Sequence, residues 1–395
     1  MNGYSLATRF DIIVVGLGAI GSALLYCLAR QGQRVLGIEQ YSSPHALGST
    51  HGESRITRLA VGEGEIYTTL VRRSHELWRE IETRKNTKIL EQCGCLVIGT
   101  VGGAQRHHVS DFLGKSIAIA RSHHIPHEIL SPQDVCNRFP QFSIAENEYA
   151  YFEPSGGYVR PERCVDAQLA LGKDLGAIIH TVEKLRSFEG TGDGGVLLVT
   201  DQGQYQSQKL VLCLGPWINE FLPVQYRSFF KVYRQTQYWF PVNDPANAFS
   251  SGAFPVFIFL FEDEPGIMYG FPAINGDSGG IKIASEQLTE PCTPGEVDLQ
   301  VSPAEVKKMY QLASARIAGL RPQCLKSIVC LYTVTPDFQF VVEQHPELEN
   351  VTFVSPCSGH GFKHSLGLGE ALAHSLLGKP PAVPLSTFSL SRFGI

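Results

Sequence analysis

The fold is decided by residues 10–40, which read FDIIVVGLGAIGSALLYCLARQGQRVLGIEQ. The β-branched run over 11–15 predicts a buried parallel strand, and it leads directly into the glycine pattern G-x-G-x-x-G at 16–21. Apolar residues at helical spacing follow, and a second strand over 34–38 ends at Glu39. Because strand, glycines, helix, second strand and acid arrive in this order within about 30 residues, the stretch predicts a dinucleotide-binding unit.

The three glycines and the acid each have a chemical task in such a unit. Gly16 permits the tight turn, Gly18 lets the backbone approach a pyrophosphate, and Gly21 lets helix and strand pack closely. Glu39 can accept hydrogen bonds from both ribose hydroxyls of an adenosine and would repel a 2′-phosphate. We therefore predict an ADP-containing cofactor. The motif leaves FAD and NAD open, and the alternative is a glycine-rich turn that binds nothing.

The composition of the 395-residue chain, with 18% charged residues and a net charge of −5, is that of a globular protein long enough for two domains. This charge balance and the lack of a basic cluster argue against a nucleic-acid partner. No apolar run approaches the ~20 residues that span a bilayer, and neither terminus resembles a targeting signal. We expect a cytoplasmic protein with no membrane partner and with its ten cysteines reduced.

We predict no metal site. Cys93 and Cys95 could form half of one, but no second cysteine pair stands at the spacing of a zinc finger. His123, His124 and His127 lack a carboxylate or a further histidine at ligand spacing, so we interpret them as solvated loop residues.

The segment 41–58, YSSPHALGSTHGESRITR, is polar and follows the second strand, so it should return near the cofactor. Arg55 and Arg58 are three residues apart, which on a helical turn would place both guanidinium groups on one face. A polar surface loop before an ordinary helix is the alternative.

Strand patterns recur far downstream. Residues 177–181, 195–200 and 209–214 predict strands, and strands that rejoin the first sheet after a long excursion are typical of FAD-type folds. The segment 224–290 is rich in aromatic and β-branched residues with Gly and Pro punctuation, which predicts an antiparallel sheet. That sheet would form a substrate domain.

Four separated segments carry a resemblance to one family. They read GSTHGESRITR at 48–58, MYGFP at 268–272, CLYT at 330–333 and SGHGFK at 358–363. In this order and at this spacing they resemble the monomeric sarcosine oxidase family, which includes N-methyl-tryptophan oxidase and pipecolate oxidase. The resemblance extends over nearly the full length, including the first fold unit and the ending at 390–393.

The resemblance implies a monomeric FAD-dependent oxidase of a secondary amine in an N-methyl or cyclic amino acid. A hydride passes to flavin N5, the imine is hydrolysed, and O2 is reduced to H2O2. The alternatives are a flavin dehydrogenase that passes electrons to another acceptor, an NAD-dependent dehydrogenase, and a flavin-binding protein without turnover.

The strand pattern and the resemblance together predict an α/β fold with an α+β substrate domain, in which a Rossmann-like FAD-binding domain is interleaved with an antiparallel-sheet substrate domain. The FAD-binding domain is expected over 1–90, 153–222 and 325–395, and the substrate domain over 91–152 and 223–324.

The resemblance also assigns cofactor residues. Cys330 matches the cysteine that binds FAD covalently in the family; the alternative is a buried strand cysteine. His51 and Arg55 match residues beside the flavin ring, where positive charge stabilises the reduced flavin. The other expected cofactor-binding residues are Gly16, Gly18, Gly21, Glu39, Ser49, Ser54, Gly215, Gly359, His360, Gly361 and Phe362.

Arg58 and Lys363 match the two cations that hold the substrate carboxylate in the family, and a guanidinium suits that task because it grips a carboxylate bidentately. For Lys363 the alternative is a solvated surface lysine. Lys282 matches the lysine that promotes the reaction of reduced flavin with dioxygen, and Tyr269 matches a tyrosine of the substrate pocket, or else only packs in the sheet.

Three departures from the sarcosine enzyme are expected around the pocket. Glu286 replaces a histidine, Val61 replaces a tyrosine, and the stretch between Tyr269 and Lys282 is two residues longer. They favour an N-methyl-tryptophan-like or other N-alkyl amino acid over sarcosine. Glu286 either meets a positive group on the substrate or pairs with a neighbouring Arg or Lys.

Overall fold

The structure is a computed structural model that describes residues 8–100, 102–103, 106, 109–243, 247–263, 266–276 and 279–394. Residues 1–7 and Ile395, on which the expectations about targeting signals partly depend, lie outside the described residues. The strands are, in chain order, β1 (Thr8–Val15), β2 (Val35–Glu39), β3 (Arg55–Thr57), β4 (Leu90–Glu91), β5 (Cys95–Thr100), β6 (Glu128–Leu130), β7 (Glu148–Glu153), β8 (Gly157–Val159), β9 (Ile178–Thr181), β10 (Leu185–Gly190), β11 (Val196–Thr200), β12 (Gln204–Leu212), β13 (Lys231–Phe240), β14 (Val256–Leu260), β15 (Ile267–Phe271), β16 (Ile281–Ser285), β17 (Lys326–Val334), β18 (Val341–Gln344) and β19 (Val351–Ser355). The α-helices are α1 (Ala19–Arg30), α2 (Glu65–Lys85), α3 (Phe112–Ser122), α4 (Pro132–Arg138), α5 (Pro161–Asp174), α6 (Val224–Arg227), α7 (Pro303–Ser314) and α8 (Ser365–Leu376).

The first sheet holds the dinucleotide unit at its centre. Its strand order is β10-β11-β12-β1-β2-β9, with β19 also pairing with β12 and β18 with β19. Because β1, β2, β12 and β19 are parallel, their carboxyl ends meet at one edge. Those ends are Val15, Glu39, Leu212 and Ser355, and ligands of open α/β sheets bind beside such ends.

Helix α1 connects the first two strands and is buried along most of its length. Every residue from Ile20 to Ala29 is buried, and the helix contacts α5 and α8. The approach to α8 is close, since a Cβ at Gly369 would lie 2.8 Å from the Cβ of Ala23. The predicted order of strand, helix and strand, and with it the α/β fold class, is confirmed.

The second sheet has the order β17-β13-β16-β15-β14-β5-β7-β6, and its neighbours are antiparallel except for β14 and β5. It contains the antiparallel strands predicted between 224 and 290. β17 lies within the segment 325–395 that we assigned to the FAD-binding domain, yet it pairs with β13. Strand pairing alone does not define a domain, so the domain boundaries stay a prediction.

A small sheet of order β3-β8-β4 corrects one local prediction. Arg55 begins β3 and Arg58 follows its end, so the two side chains do not share a helical face. The backbone is extended here, and not helical, because the strand pairs with β8 through Arg55↔Val159 and Ile56↔Tyr158.

Over the described residues, no helix combines the length and the apolar character that crossing a bilayer requires. Within the same part of the chain, no three His, Cys, Asp or Glu side chains are grouped to hold a metal ion. His127 is less solvated than expected, because its ring stacks on Tyr151 with centroids 5.5 Å apart.

Candidate active site

A deep cavity extends from the carboxyl edge of the first sheet to the second sheet. It encloses about 1780 Å³ of empty space, including open solvent at its mouth. One end is lined by the glycine pattern and the end of β2, and the other by side chains of β15, β16 and the turn before α8. Ligands of open α/β sheets bind beside the carboxyl ends of the strands, so a cavity that starts there and reaches the second sheet is a candidate site for a dinucleotide with a small substrate beside it.

Two of the three glycines in the pattern stand where the structure allows no other residue. Gly16 has φ +87°, and a Cβ there would lie 2.3 Å from the carbonyl oxygen of Cys213. A Cβ at Gly21 would lie 1.8 Å from the carbonyl oxygen of Gly16. A Cβ at Gly18, in contrast, would meet only the Oγ1 of Thr50, at 3.4 Å. Gly16 and Gly21 are therefore required by packing, while Gly18 leaves its backbone open to the cavity.

The carboxylate of Glu39 is held at the rim of this end. Its Oε2 accepts a hydrogen bond from the backbone N–H of Leu17 at 2.8 Å, and its Oε1 accepts one from that of Tyr41 at 3.1 Å. The ring of Tyr41 lies 5.6 Å from that of Trp217, which lines the cavity. These groups provide an acceptor for a ribose and an aromatic wall beside it.

The polar loop after β2 is fastened from two sides. The Oε1 of Glu162 accepts hydrogen bonds from the backbone N–H groups of Gly52 at 2.7 Å and Glu53 at 3.0 Å. From the other side, the Nζ of Lys282 donates to the carbonyl oxygens of Gly52 at 2.8 Å and Ser54 at 2.7 Å. The loop is therefore clamped between α5 and β16.

Lys282 itself is buried, and carbonyl oxygens and aromatic faces lie near its Nζ. The ammonium group lies 4.1 Å from the ring centroid of Phe271 and 5.6 Å from that of Trp239. Burial, with help from the nearby Arg55, lowers the pKa of Lys282 well below its usual value.

Arg55 supplies the positive charge of this region. It donates to the carbonyl oxygens of Ser54 and Ser49, both at 2.8 Å. Burial and the charge of Arg55 lower the pKa of His51 to about 4, so the imidazole is neutral at pH 7. The expected charge beside the cofactor ring therefore comes from the guanidinium and not from the histidine.

Cys330 lies in β17 beside the same loop, because the backbone N–H of Leu331 donates to the carbonyl oxygen of Gly48 at 3.3 Å. Its Sγ accepts a hydrogen bond from the Nε2 of Gln237 at 3.1 Å. Burial raises the pKa of the Cys330 thiol, while the charge of Arg55 opposes that effect.

The far end of the cavity holds two buried cations and one buried acid. Arg58 donates from Nη2 to the Oε2 of Glu63 at 3.4 Å, and its Nε has no hydrogen-bond partner among the described residues. The Nζ of Lys363 donates to the carbonyl oxygen of His360 at 3.0 Å. Burial lowers the pKa of Lys363 to about 7, with the charge of Glu63 opposing the shift.

A third cation, Arg106, comes from a loop that sequence reasoning did not single out. Its Nη2 donates to the Oε1 of Glu286 at 3.1 Å, and its Nη1 lies 3.9 Å from the Oε1 of Glu63. Of the two roles left open for Glu286, the structure therefore contains the pairing with an arginine. Nearby, the hydroxyl oxygens of Tyr269 and Tyr332 are 3.1 Å apart.

Comparison with known proteins decides the cofactor class. A model of the family described as FAD dependent oxidoreductase (DAO) matches residues 11–375. The chain belongs to this family. Monomeric sarcosine oxidase of Bacillus sp. (strain NS-129) is 34% identical over 390 residues, which is 98% of each chain. N-methyl-L-tryptophan oxidase of Yersinia pestis (strain Pestoides F) is 31% identical over 394 residues, or 97% of this chain and 99% of the relative.

Solved structures share the fold of this FAD-dependent oxidoreductase at lower identity. NikD, an unusual amino acid oxidase, has a TM-score of 0.82 at 20% identity and covers 97% of both chains. Glycine oxidase from Geobacillus kaustophilus has a TM-score of 0.75 at 19% identity, covering 98% of this chain and 99% of that one.

The cavity fits FAD, the cofactor of the family. The buried hydroxyl oxygen of Ser54 has no hydrogen-bond partner among the described residues, and Ser49 and Ser54 both line the cavity. On the opposite wall a Cβ at Gly361 would lie 1.5 Å from the carbonyl oxygen of Pro356, so only glycine allows that turn. Membership of the family excludes the NAD alternative that the glycine motif left open.

The structure brings most of the predicted site residues to this one cavity. Those that line it are Gly16, Gly18, Glu39, Ser49, Ser54, Arg55, Arg58, Gly215, Tyr269, Lys282, Glu286, Gly359, His360, Gly361, Phe362 and Lys363. Gly21, His51 and Cys330 lie behind the lining residues. Val61, expected to open the pocket, is fully buried in the core around α1 and α2.

Sequence reasoning missed Arg106, Glu63 and Glu162. Glu63 follows Arg58 by five residues, and that acid after the basic segment is the one available signal. No sequence signal marks Glu162 or Arg106, because their partners lie far away in the chain. Glu162 is 110 residues from Gly52, and Arg106 is 180 residues from Glu286.

We predict that carboxylates bind this site more weakly as pH rises above about 7. The pKa of Lys363 is lowered to about 7, and only its protonated form attracts a carboxylate. The Kd of methoxyacetate, which has no amine to titrate, should therefore be constant below that pH and rise up to about tenfold per pH unit above it. The change in flavin absorption on binding measures this Kd.

Lys363→Met should flatten this pH profile, whereas Lys379→Met, at an exposed lysine, should leave it intact. A wild-type profile that stays flat from about pH 6 to about pH 9 would contradict the prediction.

Proposed function

We propose that this FAD-dependent oxidoreductase is an oxidase of secondary amines in N-alkyl or cyclic amino acids, and that it favours an N-methyl-tryptophan-like or other N-alkyl amino acid over sarcosine. The observation that carries the proposal is the pair of buried cations, Arg58 and Lys363, at the end of the cavity away from the glycine pattern. The names of its relatives, monomeric sarcosine oxidase and N-methyl-L-tryptophan oxidase, support the same class of substrate.

In this proposal the chain binds the substrate by its carboxylate. Arg58 has unused N–H donors and Lys363 becomes fully protonated when the carboxylate arrives, because an anion next to an ammonium group raises its pKa. FAD, when bound, would supply the redox chemistry: a hydride would leave the carbon next to the amine nitrogen and a proton would leave that nitrogen, which gives an imine that water hydrolyses, and the two electrons would reach dioxygen with two protons as hydrogen peroxide. Tyr269 and Tyr332 close the side of the pocket and limit water access.

The remaining residues would act on the cofactor. Arg55 places a fixed positive charge where negative charge develops, and Glu162 and Lys282 hold the loop that carries it. Lys282 would also promote the reaction with dioxygen. A dehydrogenase that uses another electron acceptor is the second candidate, because a relative in fold is L-proline dehydrogenase.

We extend the proposal to the oligomeric state, the location and the domain boundaries of the protein. We propose a monomer located in the cytoplasm, with the FAD-binding domain over 1–90, 153–222 and 325–395 and the substrate domain over 91–152 and 223–324. The pairing of β17 with β13 favours counting that strand with the substrate domain.

The function is tested by pairs of substrates that differ only in the carboxylate. N-methyl-tryptophan should reduce the flavin under anaerobic conditions at least about 30-fold more efficiently than N-methyl-tryptamine, because loss of the carboxylate leaves two buried cations unpaired. Sarcosine, pipecolate, proline and glycated amino acids complete the set, and peroxide is measured in air. Equal turnover of the amine without a carboxylate would remove the roles of Arg58 and Lys363.

Lys282→Met should leave anaerobic reduction of the flavin within about threefold of wild type and slow its reoxidation by dioxygen by about 100-fold or more. Stopped-flow absorbance separates the two half-reactions. Lys326→Met is the matched control, since Lys326 lies 4.8 Å from the same Trp239 ring but is half-exposed. If Lys282→Met reoxidises at the wild-type rate, the lysine only holds the loop.

We also predict a covalent bond between Cys330 and FAD. After acid precipitation the yellow colour should stay with the wild-type protein and be released from Cys330→Ala. Cys357→Ala is the control, because Cys357 is a cysteine that lines the cavity directly. If acid releases all flavin from the wild type, FAD remains the cofactor but the covalent bond is refuted. If Cys330→Ala keeps its flavin after acid precipitation, the covalent bond is made by another residue.

A further inference from the structure

The far end of the cavity contains an ion pair that the proposed reaction does not use. Arg106 and Glu286 both line the cavity, and their side chains are 9% and 7% exposed. Moving two charges from water into such a place is costly even when they pair, and a pair of apolar residues would often be as stable. A pair kept beside a substrate pocket therefore points to a binding role.

Arg106 has more donors than the protein uses. Its guanidinium carries five N–H groups; Nη2 donates to Glu286, while Nε has no hydrogen-bond partner among the described residues. The group is fixed in place, because it lies 5.2 Å from the ring centroid of Phe112 and its backbone pairs with Val109 at 3.0 and 2.7 Å. An acceptor on the substrate would satisfy the remaining donors.

Glu286 supplies the complementary acceptor at the same place. It directly follows β16 and lies four residues after Lys282, so the two side chains point to the same face of the sheet. The ion pair thus presents donors and acceptors next to each other. The surrounding wall is apolar and includes Ile258, Ile267 and Phe271.

The charges of this end argue against a second ionic group on the substrate. Among the described residues, the basic side chains of Arg58, Arg106 and Lys363 lie close to the acids Glu63 and Glu286, so this end already holds buried charges of both signs. The carboxylate of an amino acid would add one more. A further anion or cation would leave an unmatched charge in a buried place, which is strongly disfavoured.

We infer that the Arg106–Glu286 pair determines substrate specificity, and that it selects N-alkyl amino acids whose side chain ends in an uncharged group that both accepts and donates hydrogen bonds, such as a carboxamide. The carbonyl oxygen of the carboxamide would accept from Arg106, and its NH2 would donate to Glu286. This inference rests on the proposed function, since it names the substrate class of the same site.

The test uses side chains of one shape and different polarity. N-methyl-L-asparagine, N-methyl-L-aspartate and N-methyl-L-leucine form one set, and the glutamine, glutamate and homoleucine analogues form a longer one. In the wild type, kcat/KM for the better carboxamide should exceed that of its apolar and its acidic counterpart by about 100-fold, because a site built for hydrogen bonds rejects a group that leaves them unmade. Nα-methyl-L-lysine should also be a poor substrate.

Variants link this preference to the pair. In the double variant R106M/E286M, the ratio of kcat/KM for the carboxamide to kcat/KM for the apolar substrate should fall to within about threefold of one. The matched control R316M/E148M removes another arginine–glutamate pair, with Nη1 and Oε2 2.8 Å apart, that does not line the cavity, and it should keep the wild-type ratio.

A single variant covers the case in which the double variant does not fold. Glu286→Gln removes one negative charge at almost constant shape, so it should raise kcat/KM for the acidic substrate relative to the carboxamide by about tenfold or more. The Kd values, read from the change in flavin absorption, should move in the same direction.

Three results would overturn the inference: equal kcat/KM for the three isosteres, preference for a charged side chain in the wild type, or an unchanged ratio in both Arg106 and Glu286 variants. If N-methyl amino acids reduce the flavin without side-chain preference, only this inference fails. If none of them reduces the flavin, the proposed function fails as well.

Discussion

The site depends on one buried contact, the ammonium group of Lys282 between the carbonyl oxygens of Gly52 and Ser54. Lys282 belongs to the second sheet, whereas the loop that it holds follows the central strands of the first. The contact therefore fixes the two sheets relative to each other at the point where the cavity passes between them. Glu162 holds the other side of the loop, so the position of Arg55 follows from two opposed clamps and not from the loop sequence.

Buried charge is concentrated in this part of the molecule. Arg58, Lys282 and Lys363 are each at most 4% exposed, and a cation in such surroundings destabilises a fold unless it has partners. The partners here are mostly carbonyl oxygens and aromatic faces, which leave the cation short of negative charge. An anionic ligand in the cavity would therefore offset part of the cost of burying these cations.

How much could be predicted from the sequence depended on how local each constraint is. The glycine pattern and Glu39 were recognisable because their task is performed within about 30 residues. Arg58, Lys282 and Lys363 were found through the resemblance alone. Arg106 and Glu162 could not be found, because each acts on a partner brought near by the tertiary fold. Arg55 was placed on a helical turn since its spacing fits one, but pairing with β8 overrides such a local preference.

The order of strands in the first sheet affects when the cavity can form during synthesis of the chain. β1 is made first, yet it pairs with β12, and β12 in turn pairs with β19 near the end of the chain. The walls of the cavity likewise come from residues near 16, 213 and 361. Such long-range pairings form late and slowly. During synthesis on the ribosome the cradle for the nucleotide is therefore incomplete until β19 and the residues near 361 have emerged and joined the first sheet.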